Sequence, residues 1–219
     1  MLREAVVALI VGLTWGLVAI FWAVNLWWER TGVTDARRRE LDAEGSELVS
    51  PGIRAWRVSA VTVCGVVPAL FVIDGLVRDL GILYAPRLSF LAGPDLALQI
   101  VGIAMSVGGL AILIGVGWKL AVHVYRRALS ERQLMTTGVH RFVRHPFYLH
   151  FFLLPIGLLL VTLNWLSLLV LAAYTMLWQP RPVTWWMKEE DEDLRRRFGA
   201  EADAYIARTG RVFPRLRRS

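Results

Sequence analysis

Two stretches of the chain carry the residue types that can do chemistry. Residues 134–148 read L-M-T-T-G-V-H-R-F-V-R-H-P-F-Y, and residues 188–199 read K-E-E-D-E-D-L-R-R-R-F-G. In the first, Arg144-His145-Pro146 has the form of a helix entrance. Pro146 suits the first helical position, where its missing N–H costs nothing, and it holds His145 extended. The helix N-terminus with Arg144 beside it would make an anion site for a carboxylate or phosphate. The plainer reading is an interfacial anchor at Arg144 and an interfacial His145. In the second stretch, helical spacing sorts the acids. Leu194, Phe198 and Tyr205 share one face, and Glu190 and Asp191 stand four and three residues before Leu194, so both carboxylates point toward that apolar side. A carboxylate aimed at an apolar core needs a partner or a ligand, and an Arg of the segment 119–145 would serve as well as a ligand. Glu192 and Arg196 are spaced i, i+4 on a solvated face.

What is missing narrows the chemistry. His140, His145 and His150 recur every fifth residue, about 140° of helical turn, so they share no face for tetrahedral zinc. Four His are too few for a His-rich di-iron oxidase. There is no glycine-rich phosphate loop and no nucleophilic Ser or Cys in a recognisable setting. Cys64 stands alone inside an apolar run and reads as a small buried hydrophobe. A metal-independent reaction is expected, with the difficult chemistry carried by a cofactor.

The elements that must position these residues are membrane spans. Of 219 residues, 56% are hydrophobic and 20% charged, which excludes a soluble α/β enzyme, a secreted disulfide scaffold and a disordered tail. Five apolar runs are long enough, or nearly so, to cross a bilayer: Ala5 to Trp28, Val58 to Val77, Leu96 to Trp118, Phe147 to Leu163 and Trp165 to Pro180. The first is too long for a signal-peptide core and reads as a retained anchor. Gly102 and Ser106, one turn apart, would let a neighbouring helix approach closely. Only Asn164 separates the last two runs, so they form a tight hairpin whose ends return to one membrane face, with Pro155 kinking the first arm. The five spans place 22 of the 25 Lys and Arg on one side, which fixes the N-terminus outside and the C-terminus in the cytoplasm. The net charge of +7 then records topology and anionic headgroups, with no nucleic-acid partner. The expected fold is all-α and polytopic. Residues 1–122 hold three transmembrane helices and a cytoplasmic loop at 29–57; residues 123–219 hold a core with the hairpin 147–180 and a cytoplasmic amphipathic helix.

At these motifs the sequence resembles the integral-membrane methyltransferases related to isoprenylcysteine carboxyl methyltransferase and phospholipid N-methyltransferase. Their pattern is roughly L-V-T-x-G-x-Y-x-x-x-R-H-P-x-Y, a helical hairpin, then E-E-x-x-L-x-x-x-F-G and a Tyr- and Arg-containing tail; here the tail runs from Glu190 to Pro214. The resemblance implies methyl transfer from S-adenosylmethionine at the cytoplasmic membrane face. Carried over by position, cofactor contacts fall on Arg132, Gln133, Leu134, Met135, His140, Arg144, His145, Pro146, Phe147, Tyr148 and Glu190. Glu190 would accept hydrogen bonds from ribose hydroxyls or from the methionine ammonium. His145, His140 and Glu190 are the expected catalytic groups, either histidine serving as base for an amine, thiol or hydroxyl acceptor.

The departures concern the acceptor. His140 stands for the usual Tyr, His150 for Gly, Asp191 for the second Glu and Ala202 for the first Tyr of the tail. Trp186 occupies the place of the Arg that the prenylcysteine enzymes are taken to use for the substrate carboxylate, leaving Arg181 and Lys188 as nearby cations. The acceptor is expected to be lipophilic and to arrive from the membrane, through a lateral opening lined by Phe147, Phe151, Leu154 and Trp178. A sterol-reductase-like enzyme using NADPH shares the R-H-P-x-Y core but continues with Asn and a trailing acid, where this chain has Phe147 and His150. A non-catalytic subunit of the same fold is the third alternative.

Overall fold

The structure, a computed structural model, describes residues 4–35, 38–40, 69, 73, 95–126, 133–165, 167–169, 171–172 and 181–215. Among the described residues five helices are named: α1 (Glu4–Thr31), α2 (Asp95–Arg126), α3 (His150–Thr162), α4 (Arg181–Phe198) and α5 (Ala200–Arg208). Two 3-10 turns, Gly138–Arg141 and Pro146–Leu149, precede α3. Among the described residues there is no strand, only an isolated parallel bridge between Val143 and Gly210.

Helices α1 and α2 contain the segments Val6–Trp28 and Asp95–His123, both long and apolar enough to cross a membrane. Each is hydrophobic around its whole circumference, as a lipid-embedded helix must be. On α1, Val7, Val11, Trp15, Val18 and Trp22 recur at helical spacing and pack inward, while Leu9, Leu13, Leu17, Ile20 and Trp27 are left exposed on the other side. Of the expected spans, the first and third are therefore seen as membrane-capable helices. The fourth begins as a 3-10 turn and is a shorter apolar helix. The second span (58–77), apart from two helical residues, and most of the fifth, with Trp178, lie outside the described residues, as do Arg132 and the side chain of Arg181.

The α2–α3 pair is the centre of the fold. Small residues on α2 allow backbone-to-backbone contact. A Cβ at Gly102 would stand 2.8 Å from the Val161 nitrogen and 2.9 Å from the Gly157 carbonyl oxygen. Gly157 in turn faces the Ser106 hydroxyl, so the close approach expected at Gly102 and Ser106 is what joins the two helices. Buried Gln99 donates its side-chain amide to the Val161 carbonyl at 2.9 Å, a hydrogen bond of the kind that ties helices together where no water competes. One buried core joins α1, α2, α3 and the first turns of α4, including Trp22, Leu113, Phe151, Leu158, Val183 and Met187. Leu163 ends α3 in the left-handed conformation at φ 50°. The Asn164 side chain then accepts the Ser167 N–H at 2.8 Å, and residues 165, 167–169 and 171–172 are helical. The helix thus breaks at Leu163–Asn164, the position where the turn was expected.

Candidate active site

The site lies where the segment 133–149 meets α4, α5 and the chain that follows them. Pro146 occupies the start of the 3-10 turn and His145 its N-cap, which leaves the N–H groups of Arg144 and His145 free to bond elsewhere. They donate to the carbonyls of Gly210 and Arg211 at 3.0 and 2.9 Å, and the Gly210 N–H donates to the Phe142 carbonyl at 3.1 Å. The tail past α5 is thereby a strap across the motif. Gly199, at φ 50° and ψ −124°, makes the reversal between α4 and α5 that brings the strap back, a conformation that suits glycine. The Tyr205 hydroxyl donates to the His140 carbonyl at 2.9 Å. Burial pushes the Tyr205 phenol up to about 12, so it remains a donor at all working pH.

At the centre is Asp191. Arg144 reaches both of its oxygens, Nε at 2.8 Å and a terminal guanidinium nitrogen at 3.3 Å, and the other terminal nitrogen donates to the Thr209 carbonyl at 2.8 Å. His145 Nε2 lies 2.9 Å from the same carboxylate, and the Arg211 guanidinium is 3.4 Å away. The opposite ring nitrogen, Nδ1, is 2.8 Å from Glu190, whose second oxygen accepts the Tyr148 hydroxyl at 2.7 Å. Burial raises the Asp191 carboxyl's pKa, but its hydrogen bonds to His145 and Arg144 outweigh burial and hold it at about 2. Burial likewise works against charge on His145, but hydrogen bonds to Asp191 and Glu190 win and its pKa is raised. Both imidazole nitrogens face carboxylates, so the ring is an imidazolium with no lone pair to offer.

These shifts give the Asp191 cluster that holds the strap a pH window. The His145 contribution is fully present below its ordinary value of 6.5 and is lost as pH rises through the raised folded value. The Asp191 contribution is present above 3.8 and is lost as pH falls toward about 2. Hydrogen exchange of the segment 205–212, followed against pH, is expected to show strongest protection between those limits. A His145→Gln variant should lose the alkaline limb and keep the acid one.

Beside this cluster is a cavity of about 240 Å³, lined by Leu120 and His123 of α2, by Gln133, Leu134, Met135, His140, Arg144 and His145, and by Glu190, Asp193, Leu194, Arg197, Phe198 and Tyr205. Seven of the expected cofactor contacts line it, and the face made by Leu194, Phe198 and Tyr205 is one of its walls. The two expected inward acids divide. Asp191 is buried, whereas the Glu190 side chain is 48% exposed and stands at the cavity rim. Arg144, read as an anion site, has its guanidinium engaged by Asp191 and the Thr209 carbonyl. Arg196 and Arg197 reach Asp193, at 3.7 and 2.7 Å, where a Glu192–Arg196 pair was expected. Pro146 is buried and does not line the cavity. Phe147 packs among Trp22, His150 and Phe151. Phe151 and Leu154 sit in the core, with Leu154 against Gly109 of α2. Trp186 packs on the same core and Lys188 is exposed. The α2 residues Leu120 and His123 carried no signal in the local motifs; only the fold brings them to the site.

The described residues thus combine membrane-length helices with a histidine–carboxylate cluster and an adjoining cavity. Residues 96–195 match the sequence model of the isoprenylcysteine carboxyl methyltransferase (ICMT) family. Members of the family are methyltransferases, so the match supports methyl transfer as the reaction class and a membrane setting. No curated protein and no solved structure matches the chain. Among the described residues, no group of acids, His and Cys could hold a metal ion.

Proposed function

We propose that this chain transfers a methyl group from S-adenosylmethionine to a lipophilic acceptor at the cytoplasmic face of the membrane. The observation that carries this reading is the Glu190 carboxylate, held at the cavity rim by Tyr148 and His145. The cavity suits the donor chemically. Leu120, Leu194 and Phe198 offer apolar walls for a purine, and Glu190 and Asp193 offer acceptors for ribose hydroxyls, an ammonium or a sulfonium. When bound, the sulfonium supplies both the methyl group and a good leaving group. The chain's own part is then to align donor and acceptor and to exclude water.

Within this reading His145 is a positioning residue, since both its nitrogens are committed to carboxylates and it acts by fixing Glu190. Arg144 is likewise a positioning residue through Asp191. His140 lines the cavity, and burial, with the charges of His145 and Lys119 adding to it, lowers its pKa. It is thus a neutral imidazole near the reacting centre, suited to accept a proton from an amine, thiol or hydroxyl.

Calorimetry on the purified protein in lipid is expected to show micromolar binding of S-adenosylmethionine. Glu190→Gln keeps the side-chain size and removes the charge, and should weaken that binding by about tenfold or more with helix content unchanged. Transfer of labelled methyl to membrane-lipid extracts, but not to water-soluble thiols, amines or acids, should accompany it. Intact protein that binds no donor would refute the reading.

A further inference from the structure

The strap is tied to the site through its backbone and through Arg211, and its remaining side chains face away from the Asp191 cluster. Val212 packs on the core shared by α1, α2 and α3. Phe213, the next residue, is 69% exposed, more than any other large hydrophobic side chain described. Its position is fixed, because a Cβ on Gly210 would collide with the Phe213 carbonyl oxygen and the chain closes here as a tight turn. Arg208, Arg211 and Arg215 flank the turn and are exposed. Between Ala204 and Ser219 the sequence holds Arg208, Arg211, Arg215, Arg217 and Arg218 and no acid. The turn also lies at a definite height. Leu120 and His123, at the end of the membrane-length segment Asp95–His123, line the same cavity as Arg144 and His145. Those two residues donate their backbone N–H groups to Gly210 and Arg211. The strap therefore sits beside the point where α2 leaves the hydrocarbon, next to a headgroup layer about 5–8 Å deep.

We propose that this turn docks on anionic lipid headgroups, with Phe213 in the acyl boundary and Arg208 and Arg215 on the phosphates, and that docking holds the strap shut across the site. In water an exposed ring gains nothing, and clustered arginines repel one another. At an anionic surface both effects change sign, since the ring leaves water and the guanidiniums meet phosphates. The two functions are coupled because residues 210–215 carry both sets of contacts. The backbone of Gly210 and Arg211 closes the strap on the motif, and the side chains just beyond meet the lipid. Whatever favours lipid docking must therefore favour closure, and closure must favour docking. Neither depends on what the cavity binds.

The test uses the full chain in nanodiscs of phosphatidylcholine alone and of phosphatidylcholine mixed with phosphatidylglycerol. A photoreactive benzoylphenylalanine in place of Phe213 should, on irradiation in the mixed discs, leave a lipid adduct on the peptide carrying residues 212–215. Hydrogen exchange across 205–212 should be about tenfold or more slower in the mixed discs, since each arginine at such a surface contributes roughly fivefold. Molar salt should remove that difference, because screening there shortens to about 3 Å. A variant combining Arg215→Gln, Arg217→Gln and Arg218→Gln should exchange like the parent in neutral discs and lose the slowing in mixed ones. A slowing that this variant keeps would come from the lower pH at any anionic surface and would overturn the proposal. Equal exchange in the two lipids, no adduct at position 213, or an adduct to a second copy of the chain instead of lipid would each overturn it as well.

Discussion

Asp191→Asn is expected to release the strap and abolish donor binding while the membrane helices stay folded. Asn keeps the shape of Asp but not its charge, and three cations converge on this carboxylate: Arg144, His145 and Arg211. The Arg144 and His145 side chains are 8% and 4% exposed, so water cannot replace the lost partner. Removing one member of such a buried pair costs on the order of 3–5 kcal/mol, because the remaining charge is left uncompensated. That corresponds to roughly two to nearly four orders of magnitude in the docking equilibrium of the strap. Hydrogen exchange should show protection lost across 205–212 and retained in α2 and α3. Calorimetry should show donor binding gone, since Glu190 loses the histidine that holds it. Unchanged protection across 205–212 would mean that the backbone bonds of the strap suffice without the carboxylate.

Gly102→Val should have a comparable effect, at the opposite level of the structure. The added Cβ would meet the Val161 nitrogen, the Gly157 oxygen and the Leu160 Cβ, all under 3.0 Å, and two of these are backbone atoms that cannot turn away. The helices must separate, and with them go the Gln99–Val161 hydrogen bond and the contacts of Gly109 with Leu154. Overpacking of this kind costs about 1–3 kcal/mol or more even where side chains can adjust. The variant should fail to give monodisperse protein in detergent. Gly115→Ala, on the same helix with nothing within 4 Å of the added atom, should purify like the parent. If both variants behave alike, α2 and α3 do not pack through Gly102.

Much of this architecture was legible in the residues. Apolar length alone determined two membrane-capable helices, because a lipid-crossing helix must be hydrophobic on every side and so needs no tertiary information to be recognised. Gly102 and Ser106 were readable as a contact because small residues at helical spacing have one common use, close approach. Pro146 at the first turn and Leu194, Phe198 and Tyr205 as a wall of the site follow from local geometry in the same way. The division of labour between Glu190 and Asp191 was not legible. Adjacent residues on a helix differ by about 100° in direction, and both stood near enough to the apolar side to be assigned inward. Only the packed structure shows that Asp191 falls between Arg144 and the strap while Glu190 falls at the rim. Nor could spacing assign the histidines. His145 and His150 are the same residue five positions apart, yet one has both nitrogens against carboxylates and the other is buried among aromatic rings. A side chain's protonation state and task depend on which groups from distant segments face it. The sequence alone determined two membrane-capable helices and where the polar motifs lie along the chain; the tertiary structure decided which charges neutralise one another and which stand at the cavity rim.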